Sequence, residues 1–352
     1  MNKNSENFLR DLLNTPSPSG FEQPAAELFR RRVTGFAEEI TRDLHGNSYA
    51  VLNSHADFKI MLDGHIDELG LMITHIDDKG FIYITQIGRM DNSLLLGQRV
   101  KILSRLNPVL GVIVRKPIHL AEPEDKDQPI QMEKLWVDIG AADKKQAQKL
   151  VAVGDPMVID VDYRRLKGDT FVARGCDDRV GAFVVAEIIR RLARRKLNVC
   201  VVGVAAVQEE VGGRGAITSA YRVHPHAAIT FEVGHTSDYP HMDPKKHRDI
   251  KLGQGPILHR GPNINPVLEA DLLRTARALK IPFQIRAEPG PTPTNANFIQ
   301  LTRGGVATAL VRIPNRYMHS PVELMCLKDI DLTIRLITAY LTRMPTSRDF
   351  RS

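Results

Sequence analysis

The sequence is poor in cysteine, with three residues among 352. Cys176, Cys200 and Cys326 are odd in number and widely spaced, so we expect reduced thiols and no disulfide framework, as in a cytosolic protein. The chain also lacks long apolar runs. Its start, MNKNSENFLRDLL, reads as an amphipathic helix without the apolar segment of a signal peptide or a membrane span. The sequence therefore predicts a cytoplasmic protein with no membrane partner.

Internal repeats and low-complexity segments are also missing. Apolar residues make up 43% and charged residues 25% of a chain long enough for two domains, which is typical of an ordinary globular protein. The net charge of +7 raises the question of nucleic acid. However, the basic run RRLARRK (Arg190 to Lys196) ends an apolar helix, where cations suit the helix dipole, and no aromatic residues are interleaved with it. We expect no nucleic-acid partner.

Histidines and acids stand in short motifs that are scattered along the chain. These motifs are GHID (His65, Asp67), CDDR (Asp177, Asp178), QEEVGG (Glu209, Glu210), TFEVG (Glu232) and RYMHSP (His319). Imidazole and carboxylate groups ligate zinc-type ions, and two ions about 3.5–4 Å apart need a bridging carboxylate and terminal ligands on each ion. The set predicts a two-metal hydrolase. Cys176, beside Asp177, is a conceivable ligand, but a small buried residue is the favoured interpretation.

The alternation of helix and strand patterns predicts an α/β fold in two parts. Helical and strand segments alternate over residues 1–66 and 167–352, which is typical of an α/β/α sandwich with a mostly parallel sheet. Short β-branched runs broken by Gly, Pro and Asp fill residues 67–166, with little helical periodicity except KKQAQKL. We interpret that segment as an inserted, β-rich, barrel-like domain.

The metal motifs fall where strands are predicted to end. His65 follows KIML, Glu209 follows VVGVAAV, Glu232 follows AAIT, and His319 comes shortly after VATALVRI. In open α/β sheets the carboxyl ends of the strands carry the site. The strand pattern thus predicts that these side chains meet at one edge of the sheet.

The order of these motifs resembles a known family. GHIDELG, Asp-Asp-Arg with its following helix, QEEVGGRGA and IPNRYMHSPVE occur in the order found in metallopeptidase family 42, which includes tetrahedral (TET), glutamyl and deblocking aminopeptidases. The resemblance runs from the first helix to the last. It implies an enzyme that releases N-terminal residues from short peptides, and an inserted domain that mediates assembly into homo-oligomers, from dimers to dodecamers.

The same resemblance implies a role for each residue. Asp177 would bridge the ions, His65 and Glu232 would complete one site, and the remaining ligands would complete the other: Glu210 and His319. Glu209 would be the general base, taking a proton from the attacking water and giving it to the leaving amine.

Neighbouring acids have supporting roles in this scheme. Asp67 would orient the imidazole of His65, and Asp178 would support Asp177. Two divalent ions per chain are expected, with zinc first and cobalt or manganese as alternatives, because ligand type alone does not select among them.

Two residues depart from the family pattern. Glu232 stands where the family usually has aspartate, and Asn295 stands in TPTNA where the family usually has GGTDA. In related two-metal hydrolases, glutamate at the first position accompanies carboxypeptidases and deacylases, and Asn295 lacks a charge that could pair with a substrate ammonium group. Some family members accompany enzymes that make an N-acetylated dipeptide osmoprotectant. A deacylase or amidase acting on a small N-blocked peptide is therefore an alternative.

Two further alternatives belong to other classes. Some relatives have been labelled endoglucanases, but a glycosidase needs carboxylates about 5–9.5 Å apart across a sugar, without metal, and Glu209 and Glu210 are adjacent. A non-catalytic assembly protein is the other alternative, against which the complete ligand set argues.

Overall fold

A computed structural model describes residues 1–120 and 128–351 of the chain. The helices in these ranges are α1 (Lys3–Asn14), α2 (Gln23–Val33), α3 (Lys144–Leu150), α4 (Cys176–Leu192), α5 (Arg214–Val223), α6 (Pro244–His247), α7 (Pro266–Ala278), α8 (Asn295–Gln300) and α9 (Leu327–Thr342). Of these helices, none combines the length and the apolar character needed to cross a membrane.

The strands are numbered in the same way. They are β1 (Glu39–Arg42), β2 (Ser48–Leu52), β3 (Lys59–His65), β4 (Gly70–Ile76), β5 (Ile82–Ile87), β6 (Arg99–Ile102), β7 (Val109–Val114), β8 (Trp136–Asp138), β9 (Pro156–Ile159), β10 (Arg164–Arg165), β11 (Thr170–Ala173), β12 (Cys200–Ala206), β13 (Ala227–His235), β14 (Ile257–Arg260), β15 (Gln284–Ala287), β16 (Ala307–Arg316) and β17 (Glu323–Cys326).

In the part of the chain that the structure describes, the larger sheet has 11 strands, and its centre is parallel. β12, β3, β13 and β16 run side by side in the same direction, and β2 and β17 flank them in the antiparallel direction. β14 joins β16 and carries β15 as an additional parallel edge strand. The carboxyl ends of the four central strands therefore lie at the same edge of the sheet.

Helices cover both faces of this sheet. Ile60 and Leu62 of β3 belong to the core beneath α1, α2, α4 and α9. Met61, which lies between them, belongs to the core beneath α5 and α8. This alternation follows from the two-residue period of a strand whose two faces are both buried. The predicted α/β/α sandwich is confirmed.

The inserted segment forms a closed barrel in the order β4, β5, β8, β7, β6, β9. Its interior is filled by an apolar cluster of its own, which includes Leu71, Ile84, Val100 and Val137. These strands and α3, which corresponds to the predicted KKQAQKL helix, all lie within residues 67–166. The predicted β-rich, barrel-like insertion is confirmed. Along the chain it separates the elements from α1 to β3 from the elements that begin with β10.

Gly64 lets α4 approach β3 closely beside His65. A Cβ atom at Gly64 would lie 2.4 Å from the carbonyl carbon of Gly181 and 2.6 Å from the amide nitrogen of Ala182. Backbone atoms of a helix and a central strand cannot yield to such a contact without a shift of the whole element. The absence of a side chain at Gly64 therefore positions the amino-terminal part of α4 against the strand that ends in His65.

We expect Gly64→Ala to lower the free energy of unfolding by about 1–3 kcal/mol, because the added methyl group overpacks a rigid contact. Gly304→Ala is the matched control, since a Cβ there has no heavy atom within 4 Å among the described residues. Urea unfolding of both variants measures the difference. Equal stability of the two variants would contradict this account of the helix position.

Candidate metal centre

The motif residues meet at the carboxyl edge of the parallel strands. His65 is the last residue of β3, Glu209 and Glu210 follow β12, and His319 follows β16. Glu232 differs slightly from the expectation, because β13 does not end beside it but continues to His235. β13 continues because it pairs with β16 up to that residue.

Asp177 lies between the two histidines at the start of α4. Its Oδ1 is 3.3 Å from Nε2 of His65, and its Oδ2 is 3.2 Å from Nε2 of His319. Each carboxylate oxygen therefore faces a different imidazole. This is the arrangement that a carboxylate shared by two cations requires.

The glutamates surround this central group. Nε2 of His65 is 3.7 Å from Oε2 of Glu232 and 3.9 Å from Oε2 of Glu209. Nε2 of His319 is 4.0 Å from Oε2 of Glu210. The imidazole of His319 thus lies near Glu210, the glutamate assigned with it from the motifs.

Two overlapping groups of donor atoms could each hold a cation. In each group the donor atoms lie within 4.8 Å of one another; the groups are His65, Asp177 and Glu210, and His65, Asp178 and Glu232. Sequence reasoning gave Asp178 only a supporting role, yet the structure places its carboxylate with His65 and Glu232. The peptide bond that joins Asp177 and Asp178 is cis.

Several carboxylate oxygens of the centre are buried and have no hydrogen-bond partner in the part of the chain that the structure describes. They are Oε1 of Glu210, Oε1 of Glu232 and Oδ2 of Asp178. Burying a carboxylate oxygen without a partner is costly, and buried polar groups in folded proteins are almost always paired or coordinate a metal. The donor set of imidazole nitrogens and carboxylate oxygens fits divalent cations of the zinc type.

The pKa shifts of the buried acids also favour the binding of cations. Burial raises the pKa of Glu232 and of Glu210 well above the ordinary value, and neighbouring acids raise it further. Burial and the nearby acids raise the pKa of Glu209 to about 7, although His65 opposes the shift. For Asp177, burial is outweighed by hydrogen bonds with His319 and His65, which hold its pKa well below the ordinary value. A concentration of acids of this kind favours cations.

Asp67 contacts both His65 and the segment that carries Glu209 and Glu210. Its Oδ1 is 3.2 Å from Nδ1 of His65. The same carboxylate accepts the backbone N–H groups of Glu209 and Glu210 at 3.0 and 3.1 Å, and the hydroxyl of Ser19 at 2.6 Å. Asp67 therefore positions one imidazole and the whole two-glutamate segment, which is more than the orientation of His65 expected from the sequence.

Glu323 is a positioning residue that sequence reasoning missed. Its Oε2 accepts the backbone N–H of Asp177 at 3.1 Å, and its Oε1 accepts the backbone N–H of His319 at 2.9 Å. The side chain is 1% exposed, and one carboxylate thus ties together two segments that are far apart in the chain. The residue ends the motif IPNRYMHSPVE, so its place in the motif was the available signal.

Cys176 and Asn295 are both buried side chains with contacts inside the protein. The Cys176 thiol is buried and lies 3.8 Å from the carbonyl oxygen of Ala173 and 3.9 Å from that of Glu323, so it is a packed core residue. Asn295 is fully buried, and its amide donates to Oδ2 of Asp63 at 2.9 Å. The amide of Asn295 thus pairs with Asp63 of β3, and the effect of position 295 on a substrate ammonium group stays a prediction.

The chain matches a known peptidase family. The model of the M42 glutamyl aminopeptidase family matches residues 46–336. The chain belongs to the M42 peptidase family. It is 32% identical to the lysyl aminopeptidase of Pyrococcus furiosus over 341 residues, which cover 96% of each chain.

Solved structures of TET peptidases share the fold. A TET aminopeptidase from a Thaumarchaeota archaeon of marine sediment superimposes with a TM-score of 0.93 at 31% identity, covering 97% of each chain. The TET1 peptidase of Pyrococcus horikoshii, which can assemble into a tetrahedron or a large octahedral shell, gives a TM-score of 0.84 at 28% identity, covering 97% of this chain and 100% of its own. This M42 chain is therefore a hydrolase of the aminopeptidase type.

Proposed function

We propose that the centre binds two divalent metal ions and that the enzyme releases N-terminal residues from short peptides. Asp177 would be shared by both ions. The other ligands would divide between them as follows: His65 and Glu232 on one side, Glu210 and His319 on the other. The observation that carries the proposal is the position of Asp177 between two imidazoles, among buried carboxylate oxygens that lack partners.

When bound, the ions would supply Lewis acidity, lowering the pKa of a water molecule and polarising the scissile carbonyl group. The residues of the chain would transfer the proton and hold the reacting groups in position. Glu209 would accept a proton from the attacking water on its carboxylate and deliver it to the leaving amine. The position of Glu209 supports this role, because its Oε2 lies 3.9 Å from Nε2 of His65, beside the proposed ligands.

Asp67 and Glu323 would hold the reacting groups in position. Asp67 fixes the backbone at Glu209 and Glu210, so the base and its neighbouring ligand point in different directions from one rigid segment. Glu323 fixes the backbone at Asp177 and His319. Placement to a fraction of an ångström matters here, because catalysis depends steeply on geometry.

Two substrate classes are compatible with this function, peptides with a free N-terminus and peptides with a blocked N-terminus. Glu232, with one methylene more than the usual aspartate, favours the deacylase or amidase alternative as the second candidate. The test is a screen of the enzyme, loaded in turn with zinc, cobalt and manganese, against matched free and N-acetylated short peptides, with chelator-treated enzyme as the control. Cleavage of only the free peptides supports the aminopeptidase; cleavage of only the blocked peptides supports the alternative.

We further propose that the barrel, inserted between the catalytic segments 1–66 and 167–352, mediates homo-oligomer assembly. Its surface carries exposed apolar side chains, among them Leu106 at 79% and Leu110 at 61% exposure. Exposed apolar patches mark interaction sites. The shell formed by the related Pyrococcus horikoshii peptidase supports assembly of this chain into a dimer or a larger particle.

We expect Leu110→Glu to shift the protein to smaller species, because a charge at the centre of an apolar contact is desolvated without a partner. Leu44→Glu is the control, since Leu44 is fully exposed on the catalytic domain and makes the same change of charge. Light scattering after size-exclusion chromatography gives the mass of each species. An unchanged mass of the Leu110 variant would show that this face of the barrel is not part of the interface.

A further inference from the structure

Side chains from three distant segments hold the backbone of residues 207–210, which follow β12. The pairing of β12 with β3 ends at Ala206, and each of the next four backbone N–H groups is accepted by a side chain. The pairs are Val207 with Asn47 at 3.0 Å, Gln208 with Glu22 at 3.1 Å, and Glu209 and Glu210 with Asp67 at 3.0 and 3.1 Å. Buried backbone groups need such partners, so these side chains set the path of the segment that carries both glutamates.

Gln208 adopts an uncommon backbone conformation within this segment. Its φ of 57° lies in the left-handed region, which residues other than glycine seldom adopt and which persists only where surrounding contacts hold it. Glu22 accepts the N–H group of Gln208, and the N–H group of Arg214 donates to its carbonyl oxygen at 3.2 Å. Gln208 is thus held on both sides, and it directs the chain into Glu209.

Glu22 reaches Gln208 from the N-terminal segment that precedes α2. The residue is buried, with 3% of its surface exposed. Its Oε1 accepts the backbone N–H of Gly20 at 2.7 Å as well as that of Gln208. Gly20 has a φ of 90°, a conformation that favours glycine, and this turn directs its N–H to the carboxylate. The position of the Glu22 carboxylate is therefore set by its own segment as well as by Gln208.

The same N-terminal segment also supports Asp67, because Ser19 donates its hydroxyl to Oδ2 of Asp67 at 2.6 Å. Asp67 also contacts the imidazole of His65, so its removal would disturb a proposed ligand directly. Within the ranges that the structure describes, the hydrogen bonds of the Glu22 carboxylate go to backbone groups instead. A change at Glu22 therefore isolates the effect of the segment's position.

We propose that Glu22 is a positioning residue for the general base. By holding Gln208 in its uncommon conformation, it sets the direction in which the next residue, Glu209, presents its carboxylate. The inference rests on the proposed function, in which Glu209 transfers the proton. Glu210 lies one residue further along, and Asp67 holds its N–H group, so this ligand keeps its place when Glu22 is changed. Loss of Glu22 should therefore reduce turnover while metal is retained.

The test compares variants of the metal-loaded enzyme on whichever of the free and N-acetylated peptides the wild type cleaves. Glu22→Ala removes the acceptor, and Glu22→Gln keeps an amide oxygen that can accept the same N–H groups. Glu22→Asp, whose arm is shorter by one methylene, is the second loss variant in case alanine impairs folding. The control is Glu38→Ala, because Glu38 also accepts two backbone N–H groups, those of Asn53 and Ser54 at 2.9 Å, at the other end of β2 from Asn47.

In Glu22→Ala and Glu22→Asp, kcat should fall by about 10–100-fold, because small displacements of a reacting group are costly. KM and the metal content, measured by elemental analysis, should change little. Glu22→Gln should restore most of the turnover, and Glu38→Ala should match the wild type. A near-normal kcat in the folded loss variants, an equal loss in Glu22→Gln, or a loss of metal in parallel with turnover would overturn the proposal.

If the wild type cleaves no peptide, the proposed function fails, and hydrogen exchange tests the contact separately. The amide of Gln208 should exchange slowly in the wild type and in Glu22→Gln. In Glu22→Ala it should exchange about 10-fold faster or more, the effect of losing a hydrogen bond to a charged group. The amide of Val207, which Asn47 holds, is the internal reference. Unchanged exchange at Gln208 in Glu22→Ala would overturn the role of Glu22.

Discussion

Replacing Glu209 with glutamine is expected to lower kcat by about 10²–10⁴-fold, the usual contribution of a positioned general base. The amide keeps the size of the side chain but cannot accept a proton from water. Because the backbone of Glu209 is held by Asp67 through its N–H group, the substitution leaves the segment in place. Metal content should therefore be retained.

The neighbouring residue offers the matched comparison. Glu210→Gln changes the same segment by the same atoms, but it weakens a proposed ligand, so it should lose metal as well as turnover. Steady-state kinetics and elemental analysis of the two variants separate the roles. Near-normal turnover of Glu209→Gln would show that a different group is the base.

Replacing Asp177 with asparagine should have a still larger effect. Its two carboxylate oxygens face His65 and His319 separately, and an amide offers only one oxygen. Both ions should bind weakly, and kcat/KM should fall by about 10³-fold or more, since metal ions contribute several kcal/mol to catalysis of this kind.

The control for this change is Asp329→Asn, which places an amide at another buried aspartate, in α9. Asp329 accepts the backbone N–H groups of Gly253 and Gly255, remote in sequence from the ligand motifs. Once both proteins are shown to be folded, only the Asp177 variant should fail to retain metal. Full activity of Asp177→Asn at limiting metal would contradict a shared ligand.

The fold and the ligand motifs were predictable because they depend on local patterns. The continuous apolar run of β3 and the apolar stretch of α4 are typical of buried elements, and a ligand such as His65 comes at the end of the buried strand. The barrel was predictable from its short runs of β-branched residues. Family resemblance then assigned roles that spacing alone leaves open.

Contacts between distant segments were not predictable in this way. Nothing local to Asp63 indicates that it faces Asn295, because the hydrogen bond depends on how α8 packs against β3. The placement of Arg312 beside Glu232 likewise depends on the register of β16 with β13. Glu323 acts through backbone groups of two other segments, so its role emerged only with the tertiary structure.

The central claim is a pair of divalent ions held by these residues, and metal content tests it most directly. The protein should be purified without chelator, incubated with zinc, cobalt or manganese, freed of unbound ions, and measured by elemental analysis beside peptidase activity. We predict up to two ions per chain, activity that is lost on chelation, and activity restored by one of these metals. A folded, active sample that contains no divalent metal would contradict the account.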